Sequence, residues 1–176
     1  MDDEMARKNK QLVSLLESLK QFKTIVELNV TKAAAHNGDA KDTDSKFVEG
    51  DMISGDFDFE GIKYSFIDRC SSELGLHRIS CAFDYEVKRI SKENVNKKAL
   101  YEAAERFDLV RIGIKSVIKK IESDSCSVLF CVDIISSGVK SAVDKDSISS
   151  YLSVLSASPD YFWDLYGRYS KEQNGK

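Results

Sequence analysis

Residues 77–89, HRISCAFDYEVKR, place apolar and polar side chains on opposite sides of an extended chain. Ile79, Cys81, Phe83, Tyr85 and Val87 fall on one side, and Ser80, Asp84, Glu86 and Lys88 on the other. A period of two sustained this long suits a strand with one buried and one wet face. Such a strand belongs to an antiparallel sheet whose other face meets solvent. Its neighbours precede it. In ISGDFDF, Ile53, Phe57 and Phe59 share a face, and in IKYSFID, Ile62, Tyr64 and Phe66 do. Glu60 and Gly61 between them are a tight-turn signal. Residues 51–88 therefore read as a three-stranded meander.

The flanks change period. Leu12, Leu15, Leu16, Leu19 and Phe22 recur at helical spacing, which predicts an amphipathic helix over about 4–23. Its end is ambiguous over 24–35: Val26, Leu28 and Val30 alternate as in a strand, while Ile25, Leu28 and the alanines at 33–35 could continue a helix. The Asp-, Gly- and Ser-rich stretch that follows reads as a flexible loop, here taken as 36–50. After the meander, Val95, Leu100, Ala103, Ala104 and Phe107 form the apolar side of a helix capped by Ser91 or Asn94. A second hairpin follows. Val110, Ile112, Ile114 and Ile118 alternate along its first strand, a turn lies at 123–125, and Cys126 to Ile135 form its second strand. Asp144, Asp146 or Ser147 could cap a helix carrying Ile148, Tyr151, Leu152 and Leu155. Ser158 and Pro159 supply an N-cap and a first-turn proline for a last aromatic helix. The order predicts an α+β fold, α-β-β-β-α-β-β-α(-α), with an antiparallel sheet of about five strands and helices mainly on one face. Four segments follow: 1–35 with the first helix, the loop at 36–50, an α+β core over 51–156, and the aromatic helix and tail over 157–176.

Cys126 and Cys131 invite a reading as ligands or a redox pair. They lie five apart in one predicted strand, so they face opposite sides and cannot jointly hold a metal or form a disulfide. Cys126 shares its face with Val128, Phe130, Val132 and Ile134, and Cys131 with Leu129 and Ile135. Both faces are mostly apolar, as in a central strand covered on each side, so the thiols read as core packing. Cys81 also faces inward. No CxxC or Cys/His cluster suggests a metal. Cys70 and His77 could meet across a hairpin as ligands or as nucleophile and base. The carboxylates of Asp56, Asp58 and Glu60 line one strand face, where they could chelate a cation or act as acid and base. The plainer reading is the wet side of the sheet. Phosphate-loop, dinucleotide-binding and nucleophile-elbow motifs are absent, so no catalytic signature emerges.

A net charge of −3 argues against a nucleic-acid binder, although Arg111, Lys115, Lys119 and Lys120 could gather into a basic patch. No apolar run is long enough to span a membrane, and the first ten residues are rich in charge, so the expected location is the cytoplasm. Tyr161, Phe162, Trp163, Tyr166 and Tyr169 crowd into nine residues. Tyr161, Trp163 and Tyr166 are a candidate partner patch, because Trp and Tyr dominate interface hot spots; the alternative is packing on the sheet edge or the preceding helix.

The element order, carried by FDFEGIKYSF, LHRISCAFDYEV, NVNKKALYEAAERF and SCSVLFCVDIIS leading into DSISSYLSVL, resembles the type III secretion chaperone-like superfamily, which includes the YbjN-like domains. The likeness covers about residues 50–156. It implies a non-enzymatic domain without a cofactor that holds or regulates a partner protein, in some members by strand addition, and that forms a homodimer. Carried over by position, it nominates Leu100, Ala103, Ala104 and Phe107 of the middle helix, with Ile112 and Ile114 nearby, as the dimer contact. The loop at 36–46 and the aromatic extension go beyond that plan. The competing reading is a small enzyme, or a ligand- or metal-binding domain, using Asp56, Asp58 and Glu60 or the Cys70 and His77 neighbourhood.

Overall fold

The computed structural model describes residues 11–21, 25–32, 52–70, 74–87, 94–111, 113–137 and 144–174. The predicted loop at 36–50, the cap at Ser91, Phe22 and Ile112 lie outside the described residues. Ten elements follow one another: α1 (Gln11–Gln21), β1 (Val26–Lys32), β2 (Met52–Phe59), β3 (Ile62–Cys70), β4 (Leu74–Glu86), α2 (Lys97–Val110), β5 (Ile114–Ile121), β6 (Ser125–Ser137), α3 (Lys145–Ser156) and α4 (Ser158–Asn174). The strands form one six-stranded antiparallel sheet in the order β1-β2-β3-β4-β6-β5. The class is α+β, with one strand more than the five expected. The addition is β1, where the alternation of Val26, Leu28 and Val30 prevails over helix continuation.

The chain divides into two compact units, Met1–Ile79 with Asp133–Ser150, and Ser80–Val132 with Tyr151–Lys176. In the first, β2 and β3 form a hairpin closed by Glu60 and Gly61, both at positive φ (54° and 77°). That pair of left-handed residues makes the two-residue turn whose twist matches the flanking strands. Asp58 Oδ1 accepts from the Gly61 amide at 2.9 Å and fixes the corner. The hairpin register sets Phe57 opposite Tyr64, their rings stacked at 5.4 Å, with Phe66 at 6.3 Å from Phe57. Leu12, Leu16 and Leu19 of α1 are buried at the predicted helical spacing. Gly55 sits opposite Phe66 and beside β1. A Cβ there would strike the Asn29 carbonyl and lie 2.7 Å from the Phe66 ring, so only glycine lets three strands close up at this point.

In the second unit, α2 begins later and ends later than expected. Asn96 is its N-cap, with Oδ1 accepting from the Ala99 amide at 3.1 Å, rather than Ser91 or Asn94. Val110 belongs to α2 and not to β5. The Arg111 amide donates to the Phe107 carbonyl at 2.8 Å, and Gly113 at φ 86° turns the chain into the strand. Strand β5 pairs with β6 from Ile114↔Val132 to Ile121↔Cys126, with a shift between Ile118 and Lys120. On the Phe130 side of this hairpin, Phe107 of α2 and Phe162 of α4 pack against Phe130 at 5.3 and 5.6 Å. Asp144 caps α3 by accepting from the Ser147 amide at 2.7 Å. Ser158 opens α4, but its hydroxyl donates back to the Val154 carbonyl at 2.8 Å instead of capping forward.

Candidate functional site

The carboxylates of β2 are occupied by their own sheet. Asp56 Oδ1 accepts from Asn29 Nδ2 at 3.0 Å and lies 3.5 Å from Lys63 Nζ, and the Asn29 hydrogen bond foremost, with the lysine charge, holds its carboxyl below the usual range. Asp58 serves the turn, and Glu60 is exposed within it. Among the described residues no three Asp, Glu, His or Cys side chains are gathered as a metal site would require.

His77 does not depend on Cys70 for a described partner. Its Nδ1 lies 3.0 Å from Asp68 Oδ1, and both side chains are wholly buried. The sequence held the signal for this pair. Asp68 shares the parity of Tyr64 and Phe66, and His77 that of Ile79 and Cys81, so both polar side chains turn inward from neighbouring strands. With no exposure, the pair has no open surface on which to meet a substrate. On the opposite parity of β4, Arg78 holds Asp133 by two hydrogen bonds, Nε to Oδ1 at 2.5 Å and Nη2 to Oδ2 at 2.9 Å.

Cys81, Cys126 and Cys131 are buried. Burial pushes the Cys81 thiol up to about 12 and the Cys126 thiol to about 11, so neither is the thiolate that redox or nucleophilic chemistry needs. In the unfolded chain these thiols ionise earlier. Their contribution to stability is therefore complete below about pH 9 and is lost as pH rises from there through 11 to 12. Brief alkylation of the native protein with iodoacetamide at pH 8, followed by peptide mass mapping, is expected to leave Cys81 and Cys126 unmodified, and the same treatment in urea to modify both. Full labelling of either in the native chain would overturn this assignment.

The terminal aromatics divide between core and rim. Tyr166 is buried, and its hydroxyl accepts from the Asn96 amide at 3.1 Å, tying α4 to the start of α2. Trp163 is half-buried between two rings, Tyr85 at 4.7 Å and Tyr166 at 4.9 Å. Tyr85 donates to the Pro159 carbonyl at 2.9 Å. Tyr161 is half-buried beneath the Arg111 guanidinium, 4.4 Å from its ring centroid. Arg111 is thus engaged at α4, and Lys120 pairs with Glu122 at 2.5 Å, while Lys115 and Lys119 are exposed on β5.

The nominated dimer residues are placed as follows. Leu100, Ala103, Phe107 and Ile114 are buried within the chain, and Ala104 is half-buried with its carbonyl accepting from Ser116 Oγ at 3.4 Å. The opposite side of α2 carries two apolar residues in the open, Tyr101 at 59% exposed and Leu109 at 69%, while Val110, 43% exposed, follows Phe107 by one turn at the helix end. Leu109 lines a cleft of about 190 Å³ with Tyr169 of α4, between Glu102, Glu105 and Arg106. A second hollow of about 200 Å³, lined by Asp84, Lys120, Glu122, Ser125, Cys126 and Ser127, lies where the β5–β6 turn meets β4.

No protein-family model matches the chain, and no curated protein matches it. A solved structure does: an uncharacterized protein from Methanothermobacter thermautotrophicus, 14% identical, with a TM-score of 0.52, aligned over 92% of this chain and 99% of that one. At that identity the two share a fold. No helix among the described residues is long and apolar enough to cross a membrane.

Proposed function

We propose that this chain is a non-enzymatic protein-binding domain of the type III secretion chaperone-like, YbjN-like kind, acting as a homodimer that holds or regulates a partner protein. The observation that carries this reading is the pair of exposed apolar side chains, Tyr101 and Leu109, on the outward side of α2. Tyr101 and Leu109 stand four residues either side of Glu105, so all three follow one line along the helix. Two copies of α2 packed antiparallel about a two-fold axis at Glu105 would set each Tyr101 against Leu109 of the other copy. Arg106 beside the axis offsets the like charges there and can reach Glu102 across it. Leu100, Ala103 and Phe107 then serve as the core beneath this contact rather than as the contact itself.

Size-exclusion chromatography with light scattering is expected to give a mass near twice 19.8 kDa. Leu109→Lys puts a charge against Tyr101 of the other copy and is expected to weaken association at least tenfold, with an unchanged circular dichroism spectrum. A monomer at every concentration, or a dimer indifferent to Leu109→Lys and Tyr101→Lys, overturns the proposal.

A further inference from the structure

The two outermost strands of the sheet are finished differently. Along β5, Asp108 of α2 accepts from both the amide and the hydroxyl of Ser116, each at 2.8 Å. Lys115, Lys119 and Lys120 are exposed on the same strand, and its register shifts after Ile118. An amide already taken, a run of lysines and a bulge each discourage another strand from pairing. That edge is closed.

At β1 the one irregularity lies at the start, where Glu27 adopts φ 53° and the register shifts between Val26 and Asn29. From Asn29 to Lys32 the pairing with β2 is regular, and no described strand lies beyond β1 in the sheet order. Val26 is 49% exposed and Val30 43%, and Asn29 and Thr31 are exposed between and beyond them. The surroundings are acidic. Glu27 and Glu60 are exposed, and Asp58 and Asp56 stand across from Val26 and Asn29, with the exposed Lys63 beside Asp56. We propose that β1 accepts an added strand from a partner protein, an extended segment in which apolar residues alternate with lysine or arginine. Main-chain hydrogen bonds to β1 supply the pairing. The apolar side chains continue the face of Val30, and the basic ones lie on the face of Asn29, Thr31 and Asp56, where the negative excess favours them. This deepens the protein-binding reading and rests on it, but β1 lies outside the residues that carry the chaperone-like element order.

The test is calorimetric titration of the full chain with four nine-residue peptides: alternating Val and Lys, alternating Val and Glu, and the Val–Lys peptide N-methylated at alternate residues on one edge or on the other. The Val–Lys peptide is expected to bind at least tenfold more tightly than the Val–Glu peptide. One of the two N-methylated preparations is expected to lose binding, because only one peptide edge faces β1. Val30→Lys is expected to weaken binding at least tenfold, and Val26→Lys in the same direction, whereas Asp108→Ala at the other edge leaves it unchanged. A Val–Lys peptide that binds but ignores Val30→Lys, or tolerates both methylated edges, overturns the assignment to β1 and leaves the protein-binding reading standing. Failure of every peptide to bind overturns this inference alone, since solution mass tests the dimer independently.

Discussion

Asp68→Ala is expected to destabilise the protein by about 3–5 kcal/mol, the usual cost of removing one member of a wholly buried, hydrogen-bonded polar pair. The carboxylate and the His77 imidazole meet at 3.0 Å with neither side chain exposed. Taking away the carboxylate removes that bond from a wholly buried ring, where water cannot readily replace it. Two companion variants separate this cause from a loss of packing. Asp68→Asn keeps an oxygen that can accept from the ring and is expected to cost less than Asp68→Ala. Replacing both residues with leucine removes the polar demand on each side and is expected to recover part of the loss. Urea denaturation followed by far-ultraviolet circular dichroism gives the three values. An Asp68→Ala cost below about 1 kcal/mol would mean that the pair adds nothing beyond an ordinary hydrogen bond.

Phe107→Ala is expected to cost a comparable amount, about 3–5 kcal/mol, for a different reason. The ring is fully buried and lies 5.3 Å from Phe130, 6.0 Å from Phe162 and 6.1 Å from Tyr161, so truncation empties the middle of an aromatic cluster drawn from α2, β6 and α4. Phe107→Leu retains most of the volume and is expected to cost less than about 1.5 kcal/mol. This pair also bears on where the dimer contact lies. If Phe107 serves the core, Phe107→Leu changes stability without changing solution mass, and Leu109→Lys does the reverse. A Phe107→Leu protein that is fully stable and monomeric would return the contact to the side of α2 first nominated.

Much of the sheet was legible because its signals are local. The alternation through β2, β3 and β4 and the Glu60–Gly61 turn need no knowledge of the rest of the chain, and the structure follows them closely. The opposed faces of Cys126 and Cys131 follow from strand parity, and both thiols are buried. Where the reading slipped, two periods fitted the same residues. Val110 is three residues after Phe107, which suits a helix, and two before Ile112, which suits a strand. Arg111 bonding back to Phe107 and the left-handed Gly113 decide for the helix. Residues 24–35 offered the same choice, and β1 is the outcome. The site was less legible than the fold. Helical spacing identified the side of α2 that bears Leu100, Ala103 and Phe107 as apolar, and an apolar side is what a helix buries in its own unit. The exposed Tyr101 and Leu109 stand out only once that burial is known. Asp68 was the reverse case: its parity announced an inward carboxylate, but its partner His77 stands nine residues on, in the next strand.

Trp163 is the chain's one tryptophan, and it stacks between Tyr85 and Tyr166 within the second unit. Its intrinsic fluorescence is therefore a local optical probe, sensitive to loss of that ring stack and silent about events confined to the first unit. Asp68 belongs to the first unit and Phe107 to the second. If the emission and circular dichroism transitions of Asp68→Ala coincide, the two units melt as one cooperative body. If emission persists after the dichroism of the first unit is gone, the chain holds two separately melting parts, and a single unfolding free energy no longer describes it.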